Sequence, residues 1–105
     1  ADGVIARGDL RLDPERFEVS YGGVAVQLTA LEFSILRMLA SRPGVVFSRD
    51  RIMDTAYPGN VHVSDRTIDS HIRNIRGKFA SAGCASIIDT VHGVGVRLGD
   101  VAATS

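Results

Sequence analysis

The sequence predicts an α+β fold in which a small antiparallel sheet comes first, three helices follow and a β-hairpin ends the domain. Three observations predict it: short alternating apolar runs fill about the first 28 residues, apolar residues recur at helical spacing between 29 and 79, and two short apolar runs flank a glycine turn between 87 and 98. With 105 residues, the chain is long enough for one domain around one modest core. We therefore expect a single domain over residues 1–105.

Short strands are predicted for the first 28 residues. The segments "VIARG" and "LRLD" are brief apolar-rich runs, and "FEVSYGGVAVQL" contains two alternating runs on either side of Gly22-Gly23. The alternating residues are Phe17, Val19 and Tyr21 in the first run and Val24, Val26 and Leu28 in the second. Because glycine tolerates the positive φ that two-residue turns need, this pattern predicts a β-hairpin.

The first helix is predicted for the segment "TALEFSILRMLASRPG". Thr29 with Glu32 three residues later has the form of a capping box, and Pro43-Gly44 end the helix. The helix carries a broad apolar face, which consists of Leu31, Phe33, Ile35, Leu36 and Leu39. A face this apolar indicates a core contact rather than a ligand site.

Two further helices and a hairpin complete the predicted order. After the extended link "VVF", Ser48 can cap a helix over "RDRIMDTAY" that Pro58-Gly59 terminate, and a third helix begins near Ser64. The segment "SIIDTVHGVGVRLG" then predicts two strands, about 87–91 and 94–98, with a tight turn at His92-Gly93. Helices joined by a loop and followed by a β-hairpin suggest a winged helix-turn-helix.

The third helix, residues 64–79, has one apolar side and one polar side when residues are placed at steps of about 100°. The apolar stripe consists of Ile68, Ile72, Ile75 and Phe79. The opposite side holds Arg66, Ser70, Arg73, Asn74 and Gly77, and the flanking positions add the cations Arg76 and Lys78. Asp69 lies four residues before Arg73, a spacing that predicts an i,i+4 ion pair.

A helix with one docked side and one side of Arg, Ser and Asn suits the major groove of DNA. Arginine can pair with guanine and asparagine with adenine, and serine is small enough to allow close approach. Arginines at the helix edges can meet phosphates on either side of the groove. The alternative is an ordinary solvated helix face, which is the common role of polar faces. The preceding helices and the following hairpin favour DNA.

Charge and composition exclude several other classes of protein. The formal net charge is zero, but the first 34 residues carry −3 and the remainder +3, so the basic part contains the third helix. A single cysteine, Cys84, fits a reducing cytosol, and no apolar run is long enough to cross a membrane. We therefore expect a cytoplasmic protein. His62, His71 and His92 lack metal-ligand spacing, and we expect no metal, no cofactor and no enzymatic activity.

Three segments resemble the C-terminal DNA-binding output domain of OmpR/PhoB-type response regulators, the transcription factors of bacterial two-component phosphorelay systems. They are "LTALEFSILRMLASRPGVVFSRDRIMDTAY", "VSDRTIDSHIRNIRGKF" and "IIDTVHGVGVRL", and they follow the family's order over nearly the whole chain. The resemblance implies a four-stranded N-terminal sheet, three helices and a C-terminal wing. It also implies that the third helix enters the major groove and that the wing reaches the adjacent minor groove.

The resemblance also implies roles for single residues. Those expected to contact phosphates are Arg66, Thr67, His71, Arg73 and Arg76. Ser70 and Asn74 are expected to face bases, and Thr90 and His92 occupy wing positions that touch DNA. Asn74 stands where many members have a basic residue, His92 where arginine is common, and Val96 where tyrosine is frequent. These departures bear on DNA affinity and sequence preference and leave the fold assignment intact.

The partners implied by the resemblance are double-stranded DNA with tandem half-sites, on which two copies bind as a dimer, and RNA polymerase. The segment 58–63 corresponds to the loop that contacts RNA polymerase in some members. Nothing in the chain resembles the family's receiver domain, so we expect an excised output domain that meets a sensor histidine kinase only through that missing domain. The alternative function is a winged-helix protein-interaction module that has lost DNA binding, which the neutral net charge favours.

Overall fold

The computed structural model describes residues 3–56 and 65–99, with side chains described for all of these except 56, 65 and 66. Within these ranges a four-stranded antiparallel sheet comes first, three helices follow and a two-stranded hairpin ends the fold. The elements are β1 (Ile5–Arg7), β2 (Leu10–Asp13), β3 (Glu18–Tyr21), β4 (Val24–Val26), α1 (Ala30–Ser41), α2 (Arg49–Ala56), α3 (Asp65–Ser81), β5 (Ile88–Val91) and β6 (Gly95–Leu98). The predicted α+β winged helix-turn-helix is confirmed.

One face of the N-terminal sheet packs against the helices. A row of cross-strand neighbours lies on this face. Leu12 pairs with Val19 and Val19 pairs with Val26, and all three are buried. The predicted hairpin is confirmed, because Gly22 and Gly23 connect β3 to β4 with φ values of 57° and 84°. Glycine adopts such angles without strain, so the turn fixes the register that puts this row in the core.

Phe17 departs from the alternating run predicted for β3. It precedes the strand with a φ of 53°, and 63% of the residue is exposed. Its ring centroid lies 4.8 Å from that of Phe33 in α1. Phe17 therefore belongs to the turn between β2 and β3, where it covers the outside of the core instead of entering it.

The start of α1 is held by the predicted capping box. The backbone N–H of Glu32 donates to Oγ1 of Thr29 at 3.2 Å, and the backbone N–H of Thr29 donates to Oε1 of Glu32 at 3.0 Å. These bonds satisfy amides that would otherwise lack partners at a helix N-terminus. The apolar face of α1 is also confirmed. Leu31 is half-buried, and the four buried residues are Phe33, Ile35, Leu36 and Leu39.

Helices α2 and α3 follow the sequence pattern. The backbone N–H of Arg51 donates to Oγ of Ser48 at 3.3 Å, which confirms Ser48 as the cap of α2. The expected end of α2 at Pro58-Gly59 lies outside the described residues. The stripe Ile68, Ile72, Ile75 and Phe79 of α3 is buried as predicted, and the helix continues to Ser81, two residues beyond the predicted end. No helix in the described ranges has the length and apolarity to cross a bilayer.

The C-terminal hairpin, which we call the wing (residues 88–98), is fastened to the link between α1 and α2. Phe47 and Val96 exchange two backbone hydrogen bonds, of 2.7 Å and 2.9 Å, so the predicted extended segment "VVF" pairs with β6. Gly95 makes this approach possible, since a Cβ there would lie 2.0 Å from the carbonyl oxygen of Phe47. The wing therefore has a fixed base beside α2 and α3.

Candidate nucleic-acid interface

The polar face of α3, which we define as Ser70, Arg73, Asn74 and Gly77, is exposed. It lies opposite the buried stripe that begins at Ile68, as the 3.6-residue period of the helix requires. The predicted exposure is thus confirmed for these four residues. Arg66 was expected on the same side, and its side chain lies outside the description.

Asp69 does not pair with Arg73, and the predicted i,i+4 ion pair is wrong. The carboxylate of Asp69 instead accepts from Arg49 of α2, with Nε–Oδ1 at 2.9 Å and a second bond to Oδ2 at 3.4 Å. This two-pronged contact uses the fork geometry of a guanidinium. Arg73 forms no ion pair with any carboxylate in residues 3–56 and 65–99. Its charge is therefore available at the surface.

Arg76 joins α3 to the wing. Its guanidinium donates to the backbone carbonyl of Ile88 at 3.3 Å and to Oγ1 of Thr90. Arg76 and Thr90 were both expected to touch DNA, and the structure brings these two residues into direct contact. Arg76 therefore sets the position of β5 relative to α3, a role that the sequence pattern did not indicate.

Lys78 joins α3 to the start of α1 rather than presenting its charge outward. Its ammonium lies 2.6 Å from Oε1 of Glu32, whose side chain is only 2% exposed. Burial raises the pKa of Glu32, but the hydrogen bond from Lys78, the backbone N–H of Thr29 and the charges of Lys78 and His71 outweigh burial and hold the pKa below its ordinary value. Lys78 thus neutralises a buried carboxylate.

Thr67 and His71, both expected at phosphates, are half-buried. His71 lies seven residues before Lys78, which places both on one edge of α3, and the charge of His71 acts on Glu32. The opposite edge of α3 carries Asp69 and Arg76 and faces α2 and the wing. The polar face thus lies between two edges that are each tied to a neighbouring element.

The tip of the wing is exposed and made by a tight turn. The backbone N–H of Val94 donates to the carbonyl of Val91 at 3.0 Å, and Gly93 adopts a φ of 77°, which confirms the predicted turn. Thr90 and His92 are exposed. Val96, the position where tyrosine is frequent in the resembled family, is 7% exposed and packs in the core.

A groove of about 290 Å³ runs between α3 and the wing. It brings together four of the predicted site residues, Arg73, Arg76, Thr90 and His92. Arg49 also lines it, and sequence reasoning missed this residue because only folding places the start of α2 there. The described residues contain no cluster of His, Cys, Asp and Glu that could hold a metal ion.

The fold and this surface can be compared with known proteins. The family model described as "Transcriptional regulatory protein, C terminal" matches residues 23–98. The chain belongs to this family. The resemblance to OmpR/PhoB-type output domains is thereby confirmed.

Curated relatives are longer than this chain. It is 43% identical over 93 residues to the transcriptional regulatory protein BaeR of Escherichia coli O6:H1, a match that covers 88% of this chain and 39% of BaeR. It is 34% identical over 94 residues to the phosphate regulon transcriptional regulatory protein PhoB of Escherichia coli K12, covering 90% of this chain and 41% of PhoB. The chain thus spans about two fifths of the length of these relatives.

A solved structure supports the same relationship. The DNA-binding domain of the response regulator AdeR, in complex with an intercistronic region, superposes with a TM-score of 0.82 at 27% identity. The match covers 90% of this chain and 98% of the AdeR domain. The AdeR domain and this chain therefore share their architecture over nearly all of both molecules.

Proposed function

We propose that the chain is the output domain of a two-component response regulator and binds specific sequences of double-stranded DNA to regulate transcription. In this proposal α3 enters the major groove and the wing meets the adjacent minor groove. The observation that carries it is the exposed polar face of α3, bordered by a wing that Arg76 holds against the helix. The match of the AdeR domain, which is bound to an intercistronic region, supports the same activity.

Within the polar face, Ser70 and Asn74 are proposed to meet base edges. Both are exposed, and both side chains are short, so they suit contacts with base edges at the floor of the DNA major groove. An asparagine amide can both donate to and accept from adenine, whereas serine can pair with several bases. Asn74 is therefore the residue of this face best suited to choose one base.

The remaining side chains are proposed to contact the DNA backbone. The proposed phosphate contacts are Arg66, Thr67, His71, Arg73 and Arg76, and the proposed wing contacts are Thr90 and His92. Arg73 has the clearest case, because its charge is exposed and unpaired within the described residues. A guanidinium carries five N–H donors, so Arg76 can hold the wing and still offer a donor to a phosphate.

The wider assembly is also a proposal, and the greater length of the relatives supports its first part. A chain that matches only about two fifths of BaeR and PhoB is proposed to work beside a receiver domain, through which a sensor histidine kinase acts. Two copies are proposed to bind tandem half-sites as a dimer, about one DNA turn apart. The loop 58–63, proposed to contact RNA polymerase, lies outside the described residues. A protein that acts on chromosomal DNA is proposed to work in the cytoplasm.

Selection of bound duplexes from a random pool, followed by a salt titration on the best duplex, tests this function. We expect an enriched motif and an affinity that falls steeply with salt, because bound counterions are released from the phosphates. A duplex of the same composition in shuffled order is the control. Failure to enrich any motif, with equally weak binding to both duplexes, would favour a protein-interaction module, to which the zero net charge also points.

A further inference from the structure

The surface between α1 and α2 carries a groove of about 490 Å³ that we call the arginine groove. Its walls hold Arg37 of α1, Arg42 directly after α1 and Arg51 of α2, together with hydroxyl side chains. None of the described residues that line it is acidic. Three positive charges thus border one depression in a chain whose formal net charge is zero.

These charges are not neutralised by the part of the protein that the structure describes. Arg37, Arg42 and Arg51 are exposed, and none forms an ion pair with a carboxylate in residues 3–56 and 65–99. Asp50 and Asp54 are on α2 but do not line the groove. Guanidinium groups pair with carboxylates through two parallel hydrogen bonds, so the groove has an unused capacity for anionic side chains.

The floor of the groove is apolar. Met38 is half-buried there, and Phe47 closes the bottom with 2% of its surface exposed. The guanidinium carbon of Arg51 lies 4.9 Å from the centroid of the Phe47 ring, which holds the cation over the floor. Arginine and methionine around a small apolar centre are typical of protein interfaces. A ligand that fits has carboxylates on either side of an apolar side chain.

The arginine groove is separate from the surface proposed for DNA. Among the residues whose side chains are described, none from α3 or the wing lines it, and the buried Phe47 is shared with the groove between α3 and the wing. A ligand could therefore occupy it while α3 is engaged. We propose that the arginine groove binds an acidic, apolar-containing peptide segment of a partner protein. This inference does not depend on the proposed DNA binding.

The test uses a short fluorescein-labelled peptide of glutamates and leucines, titrated with the whole chain at low salt and followed by fluorescence anisotropy. The test variant replaces the three arginines together: Arg37→Gln, Arg42→Gln and Arg51→Gln. The control is Arg11→Gln, an exposed arginine of β2 outside the groove. We expect the triple variant to lose affinity by about tenfold or more and the control to lose little, since charge-assisted bonds are removed only in the former.

Three further measurements decide between occupants. Thermal melting of every variant separates lost binding from lost folding. A peptide in which glutamine replaces each glutamate should not bind, and a DNA duplex should not displace the acidic peptide. Displacement by DNA would make the groove a phosphate contact and overturn the proposal. Self-association of the chain that the triple variant abolishes, seen by sedimentation, would also overturn it, as would unchanged peptide binding by a folded triple variant.

Discussion

The ammonium of Lys78 lies 2.6 Å from Oε1 of Glu32, and this ion pair joins the last part of α3 to the first turn of α1. Glu32 also completes the capping box with Thr29, so one carboxylate serves two elements. Its side chain is 2% exposed, whereas that of Lys78 is 38% exposed. The pair therefore fixes the orientation of α3 relative to α1. Water reaches it only from the side of the lysine.

Lys78→Met should destabilise the fold because it leaves the carboxylate of Glu32 buried without its cation. We expect a loss of about 1–3 kcal/mol in the free energy of unfolding, measured by urea denaturation near pH 7. Arg97→Met is the matched control, since its partner Asp89 is 47% exposed and a surface pair contributes less than about 1 kcal/mol. Equal losses in the two variants would show that the burial of Glu32 does not matter.

The lowered pKa of Glu32 predicts how stability depends on pH. A carboxylate with a pKa lower in the folded than in the unfolded chain stabilises the fold above its unfolded pKa, about 4.3 for glutamate, and loses that contribution as pH falls through the folded pKa. The free energies of unfolding of the parent chain and of Glu32→Gln, measured by urea denaturation, should therefore approach each other as the pH is lowered from 7 to 3. A difference between them that stays constant over this range would contradict the assignment.

Local sequence signals sufficed for most of the fold. The Gly22-Gly23 turn, the capping box and the apolar stripe of α3 each lie within a few consecutive residues, so their geometry follows from spacing alone. The prediction that Phe17 belongs to β3 was wrong because an alternating pattern cannot reveal that its backbone φ is positive. Alternation records which side chains are apolar and not which residues start a strand.

The ion pairs of the site could not be predicted in the same way. Asp69 and Arg49 are 20 residues apart, and Lys78 and Glu32 are 46 residues apart. Spacing within α3 offered Arg73 as a partner for Asp69, but the packing of α2 against α3 places a guanidinium closer. The exposed polar face was predictable because exposure follows the helical period, whereas the partner of each edge residue depends on the tertiary structure.

Arg73→Ala should weaken binding to all DNA sequences alike. Its charge is exposed and is proposed to meet one phosphate, so the slope of log affinity against log salt should decrease by about one unit. The measurement is a salt titration on the selected duplex and on a shuffled duplex. Arg42→Ala, an exposed arginine outside α3 and the wing, serves as the control for net charge. An unchanged slope for Arg73→Ala would place the docking surface elsewhere.

Asn74→Ala should instead change sequence preference at one base position. Its amide is exposed on the polar face and can pair with adenine, so we expect a cost of about 1–3 kcal/mol for the preferred base and little for the others. Affinities for duplexes varied at each position in turn give this profile. A uniform loss over all duplexes would identify Asn74 as a backbone contact. Ser70→Ala provides a comparison on the same face.

Arg76→Lys separates the charge of Arg76 from its contact with the wing. Lysine keeps the positive charge but lacks the guanidinium Nη2 that donates to both the carbonyl of Ile88 and the hydroxyl of Thr90. Without DNA, amide hydrogen exchange in β5 should therefore become faster, because one tie between α3 and the wing is weakened.

DNA affinity of Arg76→Lys should decrease by about fivefold, the equivalent of roughly one hydrogen bond, while the salt slope stays the same because the charge is retained. Arg73→Lys is the matched control, since the guanidinium of Arg73 forms no ion pair within the described residues and its replacement should leave exchange in β5 unchanged. If Arg76→Lys kept both the affinity and the slow exchange of β5, Arg76 would contribute only its charge, and the wing would be positioned by its pairing with Phe47 alone.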